Sequence, residues 1–320
     1  MTEQILLVGA GPMAVEYAKV LQAMKRPVLV IGRGGESAEA FREATGIPVF
    51  TGGLESWLQQ ATDIPATAIV CVGEKWLGQT TRHLINRGVH DILVEKPGGF
   101  DGRDIREVAE AAQAKNANVY VGYNRRFYAS TQKAEQIISE DGGVLSFSFE
   151  FTEWGHIIAG LKKEDGVKEE WFLANSTHVI DHAFFLGGKP KEICCFTAGG
   201  VEWHNRASIY AGAGITEKGA LFSYQANWEA PGRWAVELLT KKHRLIFKPM
   251  ERLQIQKIGS VATEEVVIDD ELDRKFKPGL FRQVMRFLSE YKASLPSIQE
   301  QSSMLDYFDQ INRANSGRRK

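Results

Sequence analysis

The chain has 320 residues, of which 43% are hydrophobic and 25% charged. This is the composition of a soluble globular protein long enough for two cores. Its net charge of −1 divides into −2 over residues 1–121 and +1 over the rest, so neither half offers a basic face for nucleic acid or an anionic membrane. No apolar run is long enough to span a bilayer, and strand character beginning at Gln4-Ile5 leaves no room for a signal peptide, so a cytoplasmic protein is expected.

The first 121 residues alternate strand and helix signals. Strands are expected at Ile5–Val8, Val28–Ile31, Val49–Phe50, Ala68–Val72, Ile92–Glu95 and Val119–Val121, separated by helical stretches that include Met13–Met24, Leu77–Asn86 and Asp101–Lys115. Continuous apolar strands with intervening helices indicate a doubly wound parallel sheet covered on both faces. After Gly122 the pattern changes. A helix over about Tyr128–Ser139 leads into Val144–Phe151, which alternates with period two, and more such strands follow between Ile193 and Ile268. That is a large open, mostly antiparallel sheet, interrupted by a helix at Ala174–Leu186 and closed by helices at Pro278–Tyr291 and Ser297–Arg313, with Arg318-Arg319-Lys320 as a solvated tail. The fold class is therefore α/β, with an N-terminal doubly wound Rossmann domain over 1–121. An α+β domain over 122–320 is expected to bind substrate and mediate oligomerisation. Cys71, Cys194 and Cys195 lack metal-site spacing and read as small apolar strand residues.

Gly9-x-Gly11-x-x-Ala14 follows the first strand and opens the first helix. Gly9 makes the tight turn, Gly11 lets a pyrophosphate approach the backbone, and Ala14 packs closely; Pro12 suits the first helical turn. A dinucleotide is the expected cofactor, with Met13, Val72 and Glu95 completing its contacts. The second strand ends Ile31-Gly32-Arg33-Gly34, without the carboxylate that holds a ribose diol. Arg33 and Ser37 can instead hold a 2′-phosphate, which favours NADP over NAD; Glu36 is the alternative acid. Glu95-Lys96-Pro97 closes the fifth strand, placing an amine at the carboxyl rim of the sheet, where such folds bind ligands.

Together, Gly9-x-Gly11-x-x-Ala14, Glu95-Lys96-Pro97 and Gly122-Tyr123-Asn124-Arg125-Arg126-Phe127 resemble the glucose–fructose oxidoreductase / inositol dehydrogenase (Gfo/Idh/MocA) family over nearly the whole chain. The resemblance implies NAD(P)-dependent hydride transfer at a carbon of a sugar, sugar derivative or cyclitol, with the lysine near nicotinamide and substrate. Lys96 would then exchange the hydroxyl proton while hydride moves. Asn124 and Arg125 are the expected substrate ligands, because two consecutive arginines do not both point inwards from a regular element. The family's second signature, Asp-x-x-x-His, is altered: His178 matches the histidine, but Ala174 stands where the aspartate belongs. Asn175 is the substitute partner, and Trp171 the best placed of the second-domain tryptophans to meet a sugar ring. His178, Asp181 and His182 have the helical spacing of a metal site, but without further ligands no metal is expected.

The expected function is thus an NAD(P)-dependent dehydrogenase or reductase of a carbohydrate-like substrate, with Lys96 and His178 catalytic. The open sheet face makes a homodimer or homotetramer the expected assembly. A dinucleotide-binding sensor or scaffold without turnover is the alternative, motivated by Ala174. A reductase of a non-sugar carbonyl or imine is another.

Overall fold

A computed structural model describes residues 4–313; the expected tail at Arg318-Arg319-Lys320 lies outside them. The described chain packs as two compact units, one of residues 4–124 and 272–303, the other of residues 125–271 and 304–313. A boundary at 121/122 differs from these units mainly because 272–303 packs with the first. Such a return is invisible to local periodicity, since it is made by long-range contacts.

In the first unit, β1 (Ile5–Val8), α1 (Pro12–Ala23), β2 (Val28–Ile31), α2 (Gly35–Thr45), β3 (Val49–Phe50), α3 (Gly53–Gln60), β4 (Thr67–Val70), α4 (Leu77–Asn86), β5 (Asp91–Val94), α5 (Gly102–Lys115) and β6 (Asn118–Val121) follow in order. All strands are parallel, in the order β3-β2-β1-β4-β5-β6. This arrangement reverses direction beside β1, opening a crevice at the carboxyl ends. Ala14, Tyr17, Ala18 and Leu21 bury the inner stripe of α1. Asp101 caps α5 by accepting from the Asp104 N–H at 2.8 Å. The helix Leu280–Leu288 buries Leu280, Gln283, Val284 and Phe287, and packs on α1. The chain then accepts the Val121 N–H on the Pro296 carbonyl (2.9 Å) and pairs Ser297 with Tyr120 at the sheet edge.

The second unit is built on eight strands: β7 (Ser146–Glu150), β8 (Pro190–Ala198), β9 (Ile209–Thr216), β10 (Leu221–Asn227), β11 (Ala235–Leu239), β12 (His243–Phe247), β13 (Gln254–Lys257) and β14 (Thr263–Glu265). Their order is β14-β13-β12-β11-β7-β10-β9-β8, antiparallel throughout except for the β7/β10 pair. Alternation in β7 puts Phe147 and Phe149 on one face, where they stack on Phe222 and Tyr224 of β10 at 5.4 Å each. The helix Thr177–Gly187 lies on this face, with Phe184 edge-on to Phe147, Phe149 and Phe222. The helix expected from Ala174 instead begins with a π turn, Phe172–Ser176. Short helices at Gly155–Ala159 and Glu271–Lys275 were not expected. Of the three cysteines expected to be buried strand residues, Cys71 is buried, Cys195 is half-buried and Cys194 is exposed. It lies on an edge strand, on the open face that also carries Phe196, 68% exposed.

At Gly187 helix and sheet approach closely, since a Cβ there would lie 2.4 Å from the Phe147 ring. Gly187→Ala is expected to lower unfolding free energy by about 1–3 kcal/mol through overpacking. Adding Phe147→Leu should return part of that loss, as read by chemical denaturation; two additive losses would rule out this contact as the cause.

Candidate functional site

The first unit holds a cleft of about 630 Å³ at the carboxyl ends of β1, β2 and β4, lined by Gly9, Gly11, Arg33, Ser37 and Val72 among others. Gly9 has φ +130°, and a Cβ on it would lie 2.5 Å from the Cys71 carbonyl oxygen, so backbone packing demands glycine there. Gly11 differs: a Cβ would meet nothing within 4 Å. Protein packing does not require glycine at the mouth of α1, whereas an approaching pyrophosphate does. At the end of β2, a Cβ on Gly32 would fall 2.9 Å from Val49 Cγ1, leaving no room for the customary acid. The Arg33 guanidinium lies 5.3 Å over the Trp76 ring, and Ser37 Oγ donates to the Gly34 carbonyl at 3.1 Å. Pro12 and Met13 start α1 outside the lining, and Glu36 is exposed in the first turn of α2. Sequence reading overlooked Glu55, a cleft carboxylate 3.3 Å from His83 Nδ1; nothing in its local pattern marks it.

Glu95 and Lys96 leave β5 on this same carboxyl rim and do not line the cleft. Tyr17 donates its hydroxyl hydrogen to Glu95 Oε1 at 2.7 Å. Burial raises the Glu95 pKa, opposed by this bond, by Lys96 and Lys277, and by the Lys96 N–H; burial likewise drives the Tyr17 pKa well above its ordinary value. The Lys96–Pro97 peptide is cis, and Gln301 Nε2 donates to the Pro97 carbonyl and to the Tyr123 hydroxyl, both at 3.0 Å. The backbone that carries Lys96 is therefore anchored on both sides. Asn124 is buried here too, its amide donating to the Pro278 carbonyl at 2.9 Å.

The remaining expected residues lie in the second unit. Arg125, Asn175 and His178 belong to one polar cluster around Trp234. The Arg125 and Arg233 guanidiniums sit 4.5 and 4.4 Å from the indole, and the His178 ring centroid lies 6.3 Å from it. Beside them is Glu153, 1% exposed, which sequence reading did not single out. It accepts from Asn175 Nδ2 at 3.0 and 3.1 Å and from Ser176 Oγ at 2.8 Å, and lies 3.6 Å from Arg233 Nη1. The π turn puts Asn175 and Ser176 together on one carboxylate, although adjacent residues of an α-helix diverge by about 100°. A charged residue just past the inward Phe147-Phe149-Phe151 series was the available signal. Arg126 forms a buried bidentate pair with Asp181, Nε–Oδ2 2.9 Å and Nη2–Oδ1 2.5 Å. Trp171 packs edge-on against Trp203 instead of Trp234.

Residues 4–123 match the model of an oxidoreductase family with an NAD-binding Rossmann fold, Gfo/Idh/MocA. The match takes in the first sheet with its helices and stops before the second sheet. No curated protein sequence matches the chain. Solved structures share its fold at low identity. An oxidoreductase from Agrobacterium radiobacter, in complex with NAD+, L-tartaric acid and magnesium, is 11% identical at a TM-score of 0.78, covering 98% of this chain and 95% of its own. A levoglucosan dehydrogenase in complex with NADH and L-sorbose is 17% identical at 0.77, covering 97% and 96%. UDP-N-acetylglucosamine 3-dehydrogenase from Acidithiobacillus ferrooxidans is 16% identical at 0.74, covering 98% of each. The strand order and the open cradle at Gly11 suit an NAD-binding Rossmann fold.

His182 adds a pH signature to the second unit. Thr131 Oγ1 donates to the Arg125 carbonyl at 2.8 Å, so His182 Nε2, 2.8 Å from the same oxygen, must donate to it. Burial, then Arg125 and Arg126, push the His182 pKa from 6.5 down to about 3. Because the folded value is the lower one, the unfolded chain takes up its proton first as pH falls. The stability His182 confers is complete above about 6.5 and is lost towards about pH 3, at ~1.4 kcal/mol per unit. His182→Gln should flatten the unfolding free energy across that window; an unchanged pH slope would show that His182 does not titrate this way.

Proposed function

We propose that the protein is an NAD(P)-dependent oxidoreductase that moves hydride between the nicotinamide and a carbon of a sugar, sugar derivative or cyclitol. The observation that carries this reading is Lys96, held at the carboxyl end of β5 by anchored backbone, on the rim where the Gly9–Gly11 turn opens a dinucleotide-sized cleft. Gly9, Gly11, Ser37 and Val72 would hold the cofactor, with Pro12 and Met13 opening the helix that faces its phosphates. When bound, the cofactor supplies the hydride acceptor or donor. In the oxidative direction the neutral Lys96 amine takes the carbinol hydroxyl proton while the carbinol carbon gives up hydride, leaving a carbonyl. In reduction the Lys96 ammonium donates the proton to the carbonyl oxygen. Glu95, held by Tyr17 and next to Lys96, orients the strand end and offsets the lysine's charge. In the second unit, Arg125 is the proposed substrate ligand and His178 the residue proposed to assist proton transfer or hold a hydroxyl. The dehydrogenases of levoglucosan and UDP-N-acetylglucosamine that share the fold support the carbohydrate class.

Arg33 favours NADP(H), since its guanidinium can stack on adenine and pair with a 2′-phosphate. Glu55 in the same cleft is the observation for NAD(H), as a carboxylate suits a ribose diol. Fluorescence titration with NADPH and NADH decides between them, and Arg33→Ala should weaken NADPH binding by about tenfold while sparing NADH. Lys96→Met should lower turnover at least ~10³-fold with dinucleotide affinity nearly unchanged. Retained turnover would remove Lys96 from the chemistry, and dinucleotide binding without turnover of any sugar in the wild type would support the sensor reading instead.

The open sheet face is the proposed homodimer surface. Phe196, Leu221 and Leu239 are exposed on it, and by strand register they point the same way. Leu221→Arg should then shift the mass seen by light scattering from a multiple of 35.7 kDa to the single chain; a monomeric wild type would refute this assembly.

A further inference from the structure

The carboxylates of its own unit that act on Arg125, Glu251 and Glu153, do so only at a distance. Among the described residues no carboxylate forms an ion pair with it, and its Nε is buried without a hydrogen-bond partner. The guanidinium is walled by Trp234 at 4.5 Å and Tyr128 at 5.9 Å. Its neighbour Arg126 is matched by Asp181. Arg233, stacked over Trp234 and over Trp154 at 4.7 Å, has Glu153 at 3.6 Å. That carboxylate is already shared with Asn175 and Ser176. Two guanidiniums thus converge on one indole with one divided carboxylate beside them. Burial lowers the Arg125 pKa; Tyr128, Glu251 and Glu153 draw it up, and Arg233 presses it down. Arginine still remains a cation at neutral pH, because its intrinsic value is so high.

A guanidinium drawn partly out of water with its buried Nε unpaired is costly, and such groups are rare unless a ligand completes them. Stacking on Trp234 restricts the side chain, so the planar N–H fork is held ready for a planar or tetrahedral oxyanion. We propose that Arg125, with Arg233 beside it, binds an anionic group of the substrate, so that the substrate is an acidic sugar derivative carrying a carboxylate or a phosphate. This rests on the oxidoreductase reading and narrows it. Arg125 and Arg233 discriminate between substrates, whereas Glu153 is a positioning residue that fixes the Arg233 side of the cluster.

The test compares a neutral hexose, the corresponding hexuronate and the hexose 6-phosphate as substrates of the full-length wild type, Arg125→Lys and Arg125→Met. The wild type should prefer one acidic sugar over the neutral one by about 10²-fold in kcat/KM, and the preferred one identifies carboxylate or phosphate. Arg125→Met should collapse that preference to near unity, mainly through KM, and Arg125→Lys should restore part of it. Equal use of neutral and acidic sugars by the wild type, or a preference surviving in Arg125→Met, overturns the proposal. Thermal melting separates a folding role: Arg125→Met should melt no lower than wild type, since it removes a half-buried charge without an ion-pair partner, and a markedly lower melt also overturns it. If no sugar reacts, the oxidoreductase reading fails by itself, and calorimetry with the hexuronate and the hexose phosphate decides the anion site. Heat seen with wild type and lost in Arg125→Met upholds it; no heat refutes it.

Discussion

The bidentate pair between Arg126 and Asp181 is the constraint on which the second unit's chemistry depends. Both charges are buried, and removing either partner would strand the other in a low dielectric, at a cost of about 3–5 kcal/mol. The pair ties the turn Asn124–Phe127 to the helix Thr177–Gly187. Thr131 reinforces it, giving its hydrogen to the Arg125 carbonyl and taking one from His182. That helix is in turn pinned to the sheet by Phe184 and by the absence of a side chain at Gly187. Arg125 and His178 therefore owe their places to residues that need touch no ligand.

The first unit relies on a different constraint, close approach of backbone to backbone. Gly9 sits against Cys71 so tightly that no side chain fits, which brings the ends of β1 and β4 together beneath the cleft. Gly11 has open space before it. The two glycines look equivalent in the motif but answer different demands, one from the protein and one from a ligand. Lys96 is fixed by a third device, since Glu95 and Pro97 on either side of it are both anchored by hydrogen bonds.

Much of this was legible in the sequence. Six apolar runs separated by amphipathic stretches specify the parallel sheet, and period-two alternation at Ser146–Glu150 marks the first strand of the second. The glycine turn and the lysine at the strand end were legible for the same reason: each is a local pattern with a local cause. What escaped was long-range. The return of 272–303 to the first unit follows from Phe287 meeting Tyr120 and Pro296 meeting Val121, contacts between residues more than 160 positions apart. The π turn at Phe172–Ser176 has no propensity signature, because it is set by what Asn175 and Ser176 bind.

Glu153 shows why a missing motif residue is weak evidence of a missing function. Ala174 removes a carboxylate from the helix that carries His178, and that segment alone suggests a depleted proton relay. The fold brings a carboxylate to the same turn from the end of β7, where it accepts from both residues that follow Ala174. Its charge then does something the absent aspartate's position does not require: it faces Arg233 and lies within electrostatic reach of Arg125. A negative charge held by Asn175 and Ser176 is less available to neutralise the guanidiniums. With Arg126 matched by Asp181, Arg125 is left as the cation of this cluster that lacks a dedicated carboxylate. The rearranged signature therefore argues for a change in which substrate is held more than for loss of chemistry.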